Sequence, residues 1–291
     1  MRFLSRNWCG LEWSEWVLLS DSKSLNRLPD KPGLYKVRPV GKDFLVYIGQ
    51  TGRSVRKRMS RELAVYVKSE EMPFNDPHTA APSLWAWRDA EGWDFECSVA
   101  VLEFPGLSKD EDKQMREGFE SYLLWEYRRE HGESTNCNFG RFHKNYVKSS
   151  NRSKGFRGKR LPDGELNPAG GSSLPVLQTE NNPADSNWMG ISWSEPLSLV
   201  QSSLGNLLDA PGWYKIMVDN EVVYIGQSSS IKKRTAQHIK KDWQGSAKIS
   251  VVYAEDKEIQ AYQLHEIEND LIGGYVFKMK RPPKFQFKNL S

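Results

Sequence analysis

Only three cysteines occur among 291 residues, and Cys9, Cys97 and Cys137 are far apart with no C-x-x-C spacing. An odd count without ligand spacing argues against a disulfide framework and a zinc site, and fits a reducing, cytoplasmic setting. No stretch approaches the ~18 uncharged apolar residues of a membrane helix. The N-terminal MRFLSRNWCGLEW has no apolar run long enough for a secretory signal. The expectation is a chain that meets no membrane, and no obligate protein partner is evident. Net charge is only +4, which permits nucleic acid as a partner without establishing it. An apolar share of 38%, with 22 glycines, still allows a core of normal size. The length suits two ordinary domains as well as one large one.

What the chain does contain is a repeat. Asn7–Glu15 reads NWCGLEWSE and Asn187–Glu195 reads NWMGISWSE; PGLYKV at 32–37 matches PGWYKI at 211–216; VYIGQ occurs at 46–50 and again at 223–227. Collinear segments with small drifts in offset mean two copies of one small domain. Residues 149–186 separate them, rich in Ser, Gly, Pro and Asn and without apolar periodicity, and read as a flexible linker. Its first third carries Arg152, Lys154, Arg157, Lys159 and Arg160 with no acid among them, either a solvated tether or a strap over a polyanion. The expected division is 1–148, linker 149–186, and 187–291.

Within each copy, GLYKV with FLVYIG, and its counterpart, alternate as the strands of a hairpin. A polar break follows, with Ser54 and Ser230 as helix N-caps. Then come a basic helix, a third strand and a long helix. The first copy has an insertion at about 68–93. The expected class is α+β, each domain a three-stranded, mainly antiparallel sheet flanked by helices. The twin tryptophan frames read as an N-terminal lid packed on each sheet.

The long helices carry an anomaly. Glu120 shares a helical stripe with Leu123, Leu124 and Tyr127, and Glu268 shares one with Leu271, Ile272 and Tyr275. A carboxylate on a buried stripe is costly unless an ion or hydrogen bonds compensate it. The bland alternative is a Glu at the stripe's edge that reaches water or pairs with an arginine. On the basic helices Arg58 and Arg234 hold equivalent positions. His238 follows Arg234 at i+4, and Glu62 takes that place in the first copy, where it can pair with Arg58.

Ordered this way, and found twice, these residues resemble the GIY-YIG nuclease superfamily. The motifs stand as Gly33-Leu34-Tyr35 with Tyr47-Ile48-Gly49, and Gly212-Trp213-Tyr214 with Tyr224-Ile225-Gly226. The resemblance covers about 33–142 and 212–286. It implies Tyr35 and Tyr47 as the paired tyrosines, Arg58 as the helix arginine, Glu120 as the metal-binding glutamate and Asn138 as the closing asparagine. In the second copy it implies Tyr214, Tyr224, Arg234, His238 and Glu268. Gln286 stands where the family has Asn, a departure that marks the second copy as the one more open to impairment.

The implied chemistry is hydrolysis of phosphodiester bonds in double-stranded DNA. One carboxylate per copy suits a single Mg²⁺, or Mn²⁺, that keeps most of its waters. The metal and the arginine would neutralise charge on phosphoryl oxygens. Tyr47 and Tyr224 would relay a proton from the attacking water, oriented by Tyr35 and Tyr214. Arg53, Arg56, Lys57 and Arg61, then Lys232, Lys233, Lys240 and Lys241, supply cations for backbone phosphates, and the tail adds Lys278, Lys280, Arg281, Lys284 and Lys288. Two cutting modules fused as a pseudo-dimer is the leading expectation. The alternatives are a single-site nickase or repair nuclease with the second copy as a DNA clamp, or a non-catalytic DNA-binding protein.

Overall fold

A computed structural model describes residues 1–288. It contains antiparallel sheets and helices, an α+β arrangement, in two compact units: 1–107 with 130–173, and 108–129 with 174–291. Among the described residues no helix is long and apolar enough to cross a membrane.

In unit one, β1 (Val17–Leu18), β2 (Gly33–Pro39), β3 (Tyr47–Thr51) and β4 (Phe95–Val101) form a sheet in the order β1-β4-β2-β3. The hairpin pairs Tyr35 with Gly49 and Val37 with Tyr47. The sheet has four strands where three were expected. β1 is two residues long, too short for an alternation signal, and joins the edge by pairing with Cys97 and Glu96. Ser54 caps the basic helix by accepting from Lys57 N, as its position implies. That helix widens into a π segment over Arg58–Leu63, with Met59 and Leu63 buried beneath it. The insertion folds as α1 (Ala81–Glu91), with Leu84 in the core.

Residues 149–173, expected as part of a flexible linker, are hydrogen-bonded into unit one. β5 (Tyr146–Val147) pairs with β6 (Lys159–Arg160), Gly158 N donates to Ser149 Oγ, and Asn167 caps a further turn. Small polar side chains supply partners for backbone groups, which lets a segment of low hydrophobicity hold one conformation.

Unit two repeats the sheet: β7 (Leu197–Ser198), β8 (Gly212–Val218), β9 (Glu221–Ser228) and β10 (Ala247–Tyr253), in the order β7-β10-β8-β9. Most of α2 (Lys109–His131), the first copy's long helix, belongs to this unit; α3 (Ile231–His238) and α4 (Ala261–Met279) complete it. α2 and α4 run in opposite senses. Gln114 of α2 donates to the carbonyls of Pro283, Lys284 and Gln286, while Arg128 lies 3.3 Å from Glu266 and 3.0 Å from Asp270. Where Trp125 of α2 crosses α4, a β-carbon on Gly273 would lie 2.6 Å from its Cβ, so only glycine allows the approach. Residues 174–177 belong here too: Leu174 N and Leu177 N donate to Glu266 and Asp270.

The twin tryptophan frames do more than cover the sheets. In each, the third residue and the glycine take positive φ, at Cys9 and Gly10 and again at Met189 and Gly190. This turn lets Trp13 Nε1 donate to Trp8 O and Trp193 Nε1 to Trp188 O. The serine then fastens the frame to the sheet, Ser14 to Val99 and Ser194 to Val251. Inside each frame sits a buried lysine from the central strand. Lys36 Nζ donates to Phe3 O and Ser5 O with the Trp13 ring 4.4 Å away; Lys215 Nζ donates to Pro183 O and Asp185 O with the Trp193 ring 4.8 Å away. Burial lowers these ammonium groups to about 7 and about 8. Aromatic faces and carbonyl oxygens are the surroundings in which a buried cation is tolerable. Lys215→Met leaves two carbonyls unpaired and should cost unit two about 1–3 kcal/mol, read by denaturant unfolding.

Candidate active site

In unit two the paired tyrosines come from adjacent strands. Tyr214 on β8 lies opposite Gly226 on β9, and Tyr224 is two residues before that glycine. A β-carbon on Gly226 would lie 2.6 Å from Tyr214 Cζ, and one on Gly49 2.7 Å from Tyr35 Cζ. The final glycine of Tyr-Ile-Gly is therefore the space into which the first tyrosine packs. The rings of Tyr214 and Tyr224 lie 6.1 Å apart, those of Tyr35 and Tyr47 6.0 Å.

Each pair meets one histidine. His238, at the end of α3, places Nε2 2.7 Å from Tyr214 Oη, with its ring 5.3 Å from that of Tyr224. In unit one the histidine is His78, from the insertion, with Nε2 3.1 Å from Tyr35 Oη and its ring 5.7 Å from that of Tyr47. His78 Nδ1 accepts from Ala80 N, so the ring proton is on Nε2 and is donated to Tyr35. His238 Nδ1 is buried without a partner among the described residues; leaving it unprotonated avoids an orphaned N–H, which again puts the proton on Nε2. Burial is the main cause holding both imidazoles at about 3, with Arg58 adding to the effect on His78, and Lys241 and then Arg234 on His238. Both are neutral donors at any working pH.

Sequence reasoning found His238 but missed His78. The helix position equivalent to His238 is Glu62, which pairs with Arg58 at 2.6 Å, and the π segment alters the register there. Nothing local marks His78, since the insertion has no counterpart in the second copy.

Burial raises the Tyr214 and Tyr224 phenols above their usual value, and the charge of Glu268 pushes both further up while Arg234 draws both down. The hydrogen bond from Tyr214 also draws Tyr224 down. A chain of donors results, from His238 Nε2 to Tyr214 and from Tyr214 to Tyr224. Glu268 is half-buried, with His265 Nδ1 3.2 Å away, and their hydrogen bond raises the imidazole. Arg234 is exposed, with Nη1 3.1 Å from Gln237. Tyr214, Tyr224, Arg234, His238 and Glu268 thus act on one another. In unit one, Tyr35, Tyr47, His78 and Arg58 are grouped the same way; Arg58 Nη1 reaches Pro77 O at 3.4 Å, and its buried Nε has no partner among the described residues. Glu120 is half-buried on α2, in unit two.

Asn138 is a bracket on the strand rather than a group aimed at the tyrosines. Its Oδ1 accepts from Ile48 N at 3.0 Å and its Nδ2 donates to Ile48 O at 2.8 Å, fixing the residue beside Tyr47. Gln286 makes the first of these two contacts in unit two, its Oε1 accepting from Ile225 N at 3.0 Å. The backbone of Gln286 is held by Gln114, whose Nε2 donates to Gln286 O at 2.9 Å.

The basic patches are smaller than their residue counts imply. Arg56 and Lys57 face Asp30, Lys233 faces Asp209, and Arg281 faces Glu221. Arg53, Arg61 and Lys240 are exposed, as are Lys280, Lys284 and Lys288; Lys232 and Lys241 are half-buried, and Lys278 donates to Asn181 O. No group of three or more His, Cys, Asp or Glu converges among the described residues. A lone carboxylate such as that of Glu268 fits a hard ion that keeps most of its waters.

Compared with protein-family models, with curated proteins and with solved structures, the chain matches none.

Proposed function

We propose that the chain is a DNA endonuclease of GIY-YIG type, built as two like modules fused in one polypeptide and cutting double-stranded DNA. The observation that carries this reading is the mutual arrangement of Tyr214, Tyr224, His238, Arg234 and Glu268. It has what phosphoryl transfer to water requires: a cation for the phosphoryl oxygens, a carboxylate that can hold a metal, and a phenol on a proton relay. Glu268 would hold a Mg²⁺ ion, which would supply a hydrated cation at the phosphate. The protein's own part is positional. Arg234 is free to close on a phosphate oxygen, and Arg58 Nε is a buried donor in want of an acceptor. Tyr224 accepts a hydrogen bond from Tyr214, which leaves its own proton and remaining lone pair for the attacking water.

The test is plasmid cleavage in Mg²⁺ or Mn²⁺ with Glu120→Gln and Glu268→Gln, singly and together. Wild type should linearise supercoiled DNA, each single variant should nick it, and the double variant should leave it intact. If wild type binds duplex but cuts under no divalent metal, the protein is a binder and not a nuclease. If Glu120→Gln alone abolishes nicking, the second copy is a clamp.

A further inference from the structure

Between Ser149 and Pro162 the chain carries five cations and no carboxylate. Its turn, between β5 and β6, is pinned. Ser150 N donates to Phe156 O, Phe156 N donates to Ser150 Oγ, and Asn151 Oδ1 accepts from Lys154 N. The turn is also held to the insertion: Asn75 N donates to Ser150 O, Arg152 N to Asp76 Oδ1, and Arg157 Nη1 to Met72 O. Arg157 lies over the Phe74 ring and pairs with Glu71, whereas Lys154, Lys159 and Arg160 have no salt bridge among the described residues.

At this tip Phe156 is 48% exposed. Single exposed apolar side chains are common, but both backbone groups of this one are used to hold it on a rigid turn, ringed by cations that repel one another. A fixed aromatic face amid unpaired positive charge matches a nucleic acid, which offers phosphates to the cations and base faces to the ring. A lipid surface is the poorer match, since it favours an amphipathic helix with a broad apolar face and this tip has one large apolar residue.

We propose that the 149–160 turn is a DNA-gripping arm in which Phe156 stacks on a base at a distorted step of the duplex, while Lys154, Lys159 and Arg160 hold the flanking phosphates. This rests on the reading that the substrate is DNA. Because the arm is bonded to Asn75 and Asp76, just before His78, seating it on DNA also braces the segment that supplies the histidine of the first tyrosine pair.

The experiment uses the full chain in EDTA with a duplex carrying 2-aminopurine, reading affinity by anisotropy and stacking by 2-aminopurine emission. Phe156→Ala should weaken binding about 5- to 100-fold and abolish the emission change of wild type, and Phe156→Trp should restore both. Equal affinity and equal emission change for wild type and Phe156→Ala, with wild type still binding and cutting DNA, would overturn the arm and leave the nuclease reading standing. No duplex binding by wild type removes both. Sedimentation of wild type, but not of Phe156→Ala, with phosphatidylserine vesicles, alongside unchanged duplex affinity, assigns the tip to a membrane and overturns the proposal.

Discussion

Arg128→Ala should lower the unfolding free energy of unit two by about 3–5 kcal/mol, the cost of leaving buried charge without its partner. Arg128, Glu266 and Asp270 are almost wholly removed from water, and one guanidinium serves both carboxylates. Burial raises Asp270 to about 7 even with Arg128 beside it. With Arg128 gone both acids must take up protons or draw in water. The same substitution releases Leu174 O, the acceptor of Arg128 Nη2. The sign of the pH effect follows from the raised pKa. Between its unfolded value near 3.8 and about 7, the folded state holds the proton more tightly, so Asp270 contributes stability at low pH that is lost as pH rises through about 7. Arg128→Ala should enlarge that slope. Arg128→Met with Glu266→Gln and Asp270→Asn should recover much of the loss, because no unpaired charge then remains. Urea unfolding of each variant at pH 5 and pH 8 checks all three statements, and a single variant within 1 kcal/mol of wild type would show the network to be energetically idle.

This network also marks where local sequence reading stops. The repeated strands, the tyrosine pairs and Arg58 with Arg234 were legible because periodicity and short motifs are local, and the structure keeps their register. The glutamate stripe was read in its local part only, since Leu123, Leu124 and Tyr127 are buried as the spacing implies. That most of α2 groups with 174–291 was not legible, because Gly273, which admits Trp125, lies 148 residues further along the chain. The tryptophan frames gave their count and spacing but not their contents: the lysine each encloses comes from another strand. His78 escaped for the same reason, and the two-residue strands β1 and β7 are shorter than any alternation can reveal. Residues 149–173 looked disordered by hydrophobicity, yet their order comes from Asn and Ser hydrogen bonds, which a composition count does not register.

On the proposed endonuclease reading, Tyr224→Phe, made with Tyr47→Phe so that neither module compensates, should lower kcat about 10²- to 10⁴-fold with little change in duplex affinity. The phenyl ring preserves the packing against His238 and Trp243, so what is lost is the hydroxyl alone. Burial is the main cause raising Tyr224, so the phenolate is scarce at neutral pH and its fraction grows about tenfold per pH unit. In wild type, log kcat should therefore climb with a slope near one through the neutral range. It should show no bend near 6.5, because His78 and His238, held at about 3, keep their neutral form throughout. The double Phe variant should lose most of that slope. His238→Gln, with His78→Gln, should give a smaller loss than the tyrosine pair, since an amide can still donate to Tyr214 and Tyr35 in the same direction. A phenylalanine variant that keeps more than a tenth of the wild-type rate with the slope intact would place the base elsewhere, on water ionised without help from the tyrosine.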